Sequence, residues 1–197
     1  METQVKDESD LKRRAQQIRL LLMDCDGVLT DGRAVLLPEA EEIKFFHSHD
    51  GQGLKLAGQA GLRTGVITTR VSRVLERRVR EMKVHHLYQN AESKIEAYEA
   101  ILKQEGLSDK EVAFIGDDLP DLPVMRRVGL AIAVANAVAE VKAQAHVVTE
   151  REGGRGGVRE AVEFILKAQG KWAQVVAQFK SHKAEAGRLP STKVSGP

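Results

Sequence analysis

Cysteine is all but missing from this chain, with one, Cys25, among 197 residues. A lone cysteine closes no intrachain disulfide, which fits a reducing compartment. Its place between Asp24 and Asp26 disfavours the thiolate, so it reads as buried filler rather than a reactive thiol. Aromatic residues make up 4%, too few for a surface that stacks bases. An excess of one charge is lacking too: 30 Lys and Arg against 28 Asp and Glu leave a net +2, so nucleic acid is not an expected partner. No run approaches the ~18 apolar residues of a membrane span. The first ten residues are acidic rather than basic and apolar, so no signal peptide is expected and the chain reads as cytoplasmic. Internal repeats and low-complexity segments are absent as well.

What is present is ordinary globular composition, 42% hydrophobic and 29% charged, at a length suited to one well-buried domain plus tails. Apolar runs of strand length alternate with segments of helical period, which predicts an α/β fold with a doubly wound parallel sheet. Residues 1–17 read as an N-terminal arm in which Ser9 or Asp10 caps a short helix. Residues 18–172 form the core, and the Pro38 break between Gly32 and Phe46 predicts a β-hairpin inserted at about 32–46 rather than a second domain. Residues 173–197 form a tail, with a further helix through Val176 and Phe179 and a disordered end from Gly187.

The chemistry-bearing positions lie where strands end. Leu20-Leu-Leu-Met-Asp24-Cys25-Asp26-Gly27 is an apolar run breaking into an acidic turn, as a buried parallel strand does when it opens into a ligand-binding loop. Residues two apart on a strand share a face, so Asp24 and Asp26 can point together, and Gly27 permits a sharp turn. Glu111-Val-Ala-Phe-Ile-Gly-Asp117-Asp118 repeats the pattern, a strand at 63–68 ends in Thr68, and Lys94 opens a helix. In a parallel sheet all four points fall on one side. Carboxylates at Asp24 and at Asp117 or Asp118 suit Mg²⁺, which takes oxygen ligands. Thr68 and Lys94 offer a hydroxyl and a point charge for the non-bridging oxygens of a phosphoryl group. Asp24 and Asp26 then fit the roles of attacking carboxylate and proton carrier.

The same residues allow a plainer reading: acidic turns and a surface lysine in a non-catalytic module used for oligomerisation or for regulating a partner. The histidines His47, His49, His85 and His86 find no further His or Cys to close a transition-metal set. Arg73, Arg77 and Arg80 read as a solvated helix face, with Arg78 the one candidate there for substrate contact. Residues 153–157 lack the Lys-Ser/Thr that follows in a P-loop and read as a flexible hinge.

Taken together, Asp24-Cys25-Asp26-Gly27-Val-Leu-Thr-Asp31, Val66-Ile-Thr68, Lys94 and Gly116-Asp117-Asp118-Leu-Pro-Asp121 resemble the haloacid dehalogenase superfamily. Asp50-Gly-Gln-Gly, Leu87-Tyr-Gln and residues 116–125 and 153–160 narrow this, over roughly 18–172, to a resemblance with the 3-deoxy-D-manno-octulosonate 8-phosphate phosphatases.

That resemblance implies a Rossmannoid fold without a large cap domain and a Mg²⁺-dependent phosphatase acting on an acidic sugar phosphate through an aspartyl phosphate. It implies Asp24 as nucleophile and metal ligand, and Asp26 as acid/base with its backbone carbonyl on the metal. Asp117 would be the other protein ligand, Asp118 and Asp121 supporting acids, and Thr68 and Lys94 the phosphate-holding pair. It also implies substrate contacts from His47, Ser48, His49, Asp50, Gly51, Lys55, Arg70 and Arg78, with Arg155 reaching a neighbouring subunit's site in a homotetramer of lipopolysaccharide biosynthesis. Phe46-His47-Ser48-His49-Asp50 departs from the family's usual Phe-Asn-Val-Arg-Asp, Thr69 stands where glycine is usual, and Lys55 replaces a frequent arginine. Lysine lacks the bidentate fork of arginine, so a related substrate such as a nine-carbon 9-phosphate is the enzymatic alternative.

Overall fold

The computed structural model describes residues 7–37 and 42–181. Its centre is strand β1 (Leu20–Met23), every residue of which is buried. Helices cover both faces of the sheet, so the strand is apolar throughout rather than alternating. On one side it pairs in parallel with β4 (Arg63–Ile67), followed by β5 (His86–Tyr88). On the other side lie β6 (Val112–Gly116), β7 (Leu130–Ala133) and β8 (Val147–Val148), giving a six-stranded order β5-β4-β1-β6-β7-β8. The order reverses direction at β1, and such a reversal leaves a crevice beyond the carboxyl ends of the strands.

Register decides what meets in that crevice. Met23 lies opposite Val66 of β4 and Ile115 of β6, and the Asp24 N–H donates to Ile115 O at 3.0 Å. The residues leaving the three central strands, Asp24, Thr68 and Asp117, therefore emerge side by side.

Helices α1 (Glu8–Gln17), α2 (Ser48–Gln59), α3 (Arg73–Met82), α7 (Gly157–Ala168) and α8 (Trp172–Ser181) pack as one layer. The other layer holds α4 (Lys94–Glu105), α5 (Leu122–Met125) and α6 (Ala139–Gln144). Between β1 and α2 the described residues hold only the predicted hairpin, β2 (Val35–Leu36) antiparallel to β3 (Glu42–Ile43). Its turn at 38–41 lies outside the described residues, as does the segment from Gly187 read as disordered. The arm is helical, but its cap is Asp7, whose carboxylate accepts from Ser9 N at 3.0 Å. Asp10 instead accepts from Arg14 Nε at 2.7 Å, one turn on. The C-terminal helix packs on α7, with Val175 buried and the Arg159 guanidinium 5.1 Å from the Trp172 ring centroid.

Candidate active site

Asp24, Lys94, Thr68 and Asp121 are all buried at the carboxyl edge of β1, β4 and β6. Lys94 is the first residue of α4, and its Nζ stands 2.8 Å from Asp24 Oδ1 and 2.6 Å from Asp121 Oδ1. The second Asp121 oxygen accepts from the N–H groups of Asp117 at 2.9 Å and Asp118 at 3.3 Å. Asp121 is thus fully employed in fixing Lys94 and the start of the loop after β6. Two glycines clear the space: a Cβ on Gly116 would lie 2.7 Å from Asp121 Cβ, and one on Gly27 (φ +102°) would lie 2.0 Å from Asp117 Oδ2.

One carboxylate oxygen from each of Asp24, Asp117 and Asp121 falls within 4.8 Å of the others. Burial, opposed by Lys94 and reinforced by Asp121, pushes the Asp24 carboxyl up to about 6. Burial and then the charges of Asp24 and Asp121 push Asp117 up to about 7. Burial alone would pull Lys94 down, but Asp24 and Asp121 outweigh it and the ammonium is held above its usual range. Asp117 Oδ1 is buried without a hydrogen-bond partner among the described residues. A crowded oxygen-only set with an orphaned acceptor fits a hard divalent cation.

Sequence reasoning read Asp118 and Asp121 alike as supporting acids and offered Asp118 as a metal ligand; the structure brings Asp121, not Asp118, into the cluster. Asp118 is exposed and its Oδ1 accepts from Leu119 N at 2.8 Å, capping the short turn Leu119–Asp121 that swings Asp121 inward.

Thr68 is held by its backbone, donating to Tyr88 O at 2.9 Å, and its Oγ1 accepts from Arg70 N at 3.3 Å, which leaves the hydroxyl proton to donate. Asp26 pairs with Lys44, a buried lysine at the hairpin base that the sequence reading missed. Lys44 sits 18 positions from Asp26 with no periodic signal linking them; only hairpin closure brings them together.

The substrate positions read from the sequence separate into three places. His47 caps α2, its Nδ1 accepting from His49 N at 3.3 Å; the two rings meet edge to face at 4.9 Å. Ser48 is exposed, and Lys55 is half-buried on α2. Arg78 closes over this end of α2, its guanidinium 5.7 Å from the Phe46 ring centroid and against Gly51, whose Cβ would meet Nη2 at 2.4 Å. Arg70 lies on the hairpin side, 3.3 Å from Glu42 Oε2.

Asp50 is elsewhere. It is 1% exposed, and its oxygens accept from Gly156 N at 3.1 Å and Arg159 N at 2.8 Å, so it caps α7 and faces no open cleft. The glycine segment is correspondingly no free hinge. Gly153 N donates to Asn136 Oδ1 at 2.8 Å and Gly154 N to Val28 O at 2.9 Å, pinning it on the loop after β1. Arg155 alone points outward, 63% exposed and 3.3 Å from Glu152.

An open parallel sheet whose switch point carries buried carboxylates, a shared ammonium and a hydroxyl is the layout of a hydrolase for phosphoryl groups. Residues 74–162 match the model of the haloacid dehalogenase-like hydrolases. The chain is 39% identical over 170 residues to the 3-deoxy-D-manno-octulosonate 8-phosphate phosphatase KdsC of Escherichia coli K12, covering 86% of this chain and 90% of that protein. It is 42% identical to the enzyme of Yersinia pestis over 82% of this chain and 87% of that one. The crystal structure of the Moraxella catarrhalis phosphatase, in complex with magnesium, phosphate and KDO, superposes with a TM-score of 0.85 at 36% identity, covering 88% of this chain and 99% of that one. The chain belongs to the 3-deoxy-D-manno-octulosonate 8-phosphate phosphatase family of haloacid dehalogenase-like hydrolases.

Proposed function

We propose that this protein is a Mg²⁺-dependent phosphatase that hydrolyses 3-deoxy-D-manno-octulosonate 8-phosphate to the free sugar acid and inorganic phosphate. The observation that carries the reading is the Asp24–Asp117–Asp121 cluster with Lys94 between two of its members. Asp24 and Asp117 would hold the cation, together with the Asp26 carbonyl, because both Asp121 oxygens are already engaged. When bound, Mg²⁺ supplies positive charge opposite the phosphoryl oxygens and lets an anionic carboxylate approach a phosphate dianion.

The chain's own residues perform the rest. Lys94 and the Thr68 hydroxyl hold non-bridging oxygens and orient the phosphorus in line with Asp24. An Asp24 carboxylate oxygen bonds to phosphorus as the bond to the sugar oxygen breaks, and Asp26 gives its proton to the departing alkoxide. Water then attacks the aspartyl phosphate while Asp26 takes back a proton, the Asp24–phosphorus bond breaks, and the carboxylate is regenerated. The sum is ester plus water to alcohol plus phosphate.

His47, Ser48, His49, Gly51, Lys55, Arg70 and Arg78 form the rim proposed to read the sugar acid, with Asp50 behind it as the clasp on α7. The proposal extends to a cytoplasmic homotetramer serving lipopolysaccharide biosynthesis, with Arg155 reaching a neighbouring site. The exposed Val35, Leu37, Ile43 and Phe45 give the hairpin an apolar surface suited to subunit contact. A light-scattering mass of one chain in solution would remove that part.

A phosphate-release screen over eight- and nine-carbon sugar acid phosphates, with and without Mg²⁺, tests the substrate. The eight-carbon 8-phosphate is expected to give the highest kcat/KM; a nine-carbon 9-phosphate ahead of it transfers the assignment, and no turnover of any phosphomonoester ends it. Protons compete with the cation for Asp117 and Asp24, whose metal-free values are about 7 and about 6. The Mg²⁺ concentration for half-maximal rate is therefore expected to be flat above pH 8 and to climb as the pH falls through 7 and 6.

A further inference from the structure

Asp26 is gripped from the hairpin side. Lys44, immediately after β3, has a side chain only 5% exposed and donates to Asp26 Oδ1. Its Nζ also lies 3.6 Å from Glu42 Oε2, and that same oxygen takes Arg70 Nη2 at 3.3 Å. The ammonium is therefore fixed from two directions. The other Asp26 oxygen, Oδ2, is out of solvent with no hydrogen-bond partner among the described residues; Arg70 Nε comes no nearer than 3.9 Å. A buried acceptor left unpaired is costly, so a carboxylate seated this way depends on its one partnered oxygen to stay in place.

We propose that Lys44 is a positioning residue for Asp26: held itself by Glu42, its ammonium fixes the orientation of the carboxylate that exchanges protons with the leaving group and with water. This rests on the reading of Asp26 as the proton carrier. In the first step the phosphorus–oxygen bond to the sugar breaks and the Asp26 carboxyl proton passes to the alkoxide. The electron pair stays on the carboxylate, the form that the ammonium already holds through a charge-assisted hydrogen bond. The base of the hairpin thus acts on the chemical step.

Leaving-group dependence separates this role from a merely structural one. A sugar alkoxide needs a proton to depart, whereas p-nitrophenolate, a far weaker base, leaves unaided. The experiment measures kcat/KM with Mg²⁺ for the sugar acid phosphate and for p-nitrophenyl phosphate in the full chain and in Lys44→Met, Lys44→Arg and Asp26→Asn. Lys44→Met is expected to lose on the order of 10²-fold on the sugar phosphate, with little change on the aryl phosphate, and Lys44→Arg to recover most of that loss. Equal losses on both substrates in Lys44→Met, with Asp26→Asn still selective, overturn the proposal. Equal losses in Asp26→Asn overturn the reading of Asp26 and the inference with it. If Lys44→Met does not fold, Lys44→Gln carries the test: a loss confined to the sugar phosphate supports the positioning role, and an unselective one overturns it.

Discussion

Asp24→Asn lowers kcat on the sugar phosphate by on the order of 10⁴- to 10⁶-fold, the range seen when a covalent nucleophile is removed. The amide keeps the shape of the side chain, and Lys94 keeps its 2.6 Å contact to Asp121, so the loss is not one of folding. Two readouts belong with it. Acid-quenched wild type given labelled substrate should carry acid-stable, hydroxylamine-labile phosphate, and the variant none. The melting temperature in metal-free buffer should not fall, because the substitution removes a carboxylate whose ionisation burial already opposes. Turnover within tenfold of wild type would falsify the nucleophile assignment.

Lys94→Ala should remove activity and stability together. The ammonium is 6% exposed and is the one cation between Asp24 and Asp121 among the described residues, so its loss leaves two buried carboxylates facing each other. Breaking a buried pair from one side costs about 3–5 kcal/mol. At roughly 2–4 °C per kcal/mol for a domain of this size, the metal-free melting point at pH 8 should drop by roughly 6–20 °C. The loss should shrink at lower pH, because burial already pushes the Asp24 carboxyl up and, with Lys94 no longer opposing it, the group takes up a proton more readily still. The double variant Lys94→Ala/Asp121→Asn separates the two effects, recovering much of the stability and none of the turnover. Full recovery of activity in that double variant would show the lysine to be scaffolding alone.

Much of this was legible in the sequence because strand ends announce themselves. Three apolar runs stopping at Asp24, Thr68 and Asp117 fix position and, in a parallel sheet, direction, and the observed register puts them abreast. Lys94 was legible because a helix start after β5 must lie at the same edge. The choice between Asp118 and Asp121 was not, since a single turn of Leu119–Asp121 decides which acid swings inward and no periodicity reports it. Asp50 looked like a substrate residue because it sits in the rim's own motif, yet its partners lie 106 and 109 positions away. Lys44 was hidden for the same reason: a lysine beside a hairpin reads as solvated until closure places it on a carboxylate.

The loop after β1 is bounded by main chain. A Cβ on Gly153 would lie 1.7 Å from Gly27 O and one on Gly154 2.3 Å from Asp31 N. Packing made of backbone has no side chain to shorten when a neighbour grows, so compensating substitutions cannot rescue a change there. The exposed rim at Ser48, His49 and Arg70 carries no such restriction. Change within this architecture is therefore channelled: the main-chain wall beside the reacting carboxylates tolerates little substitution, and the exposed side chains around it tolerate much more.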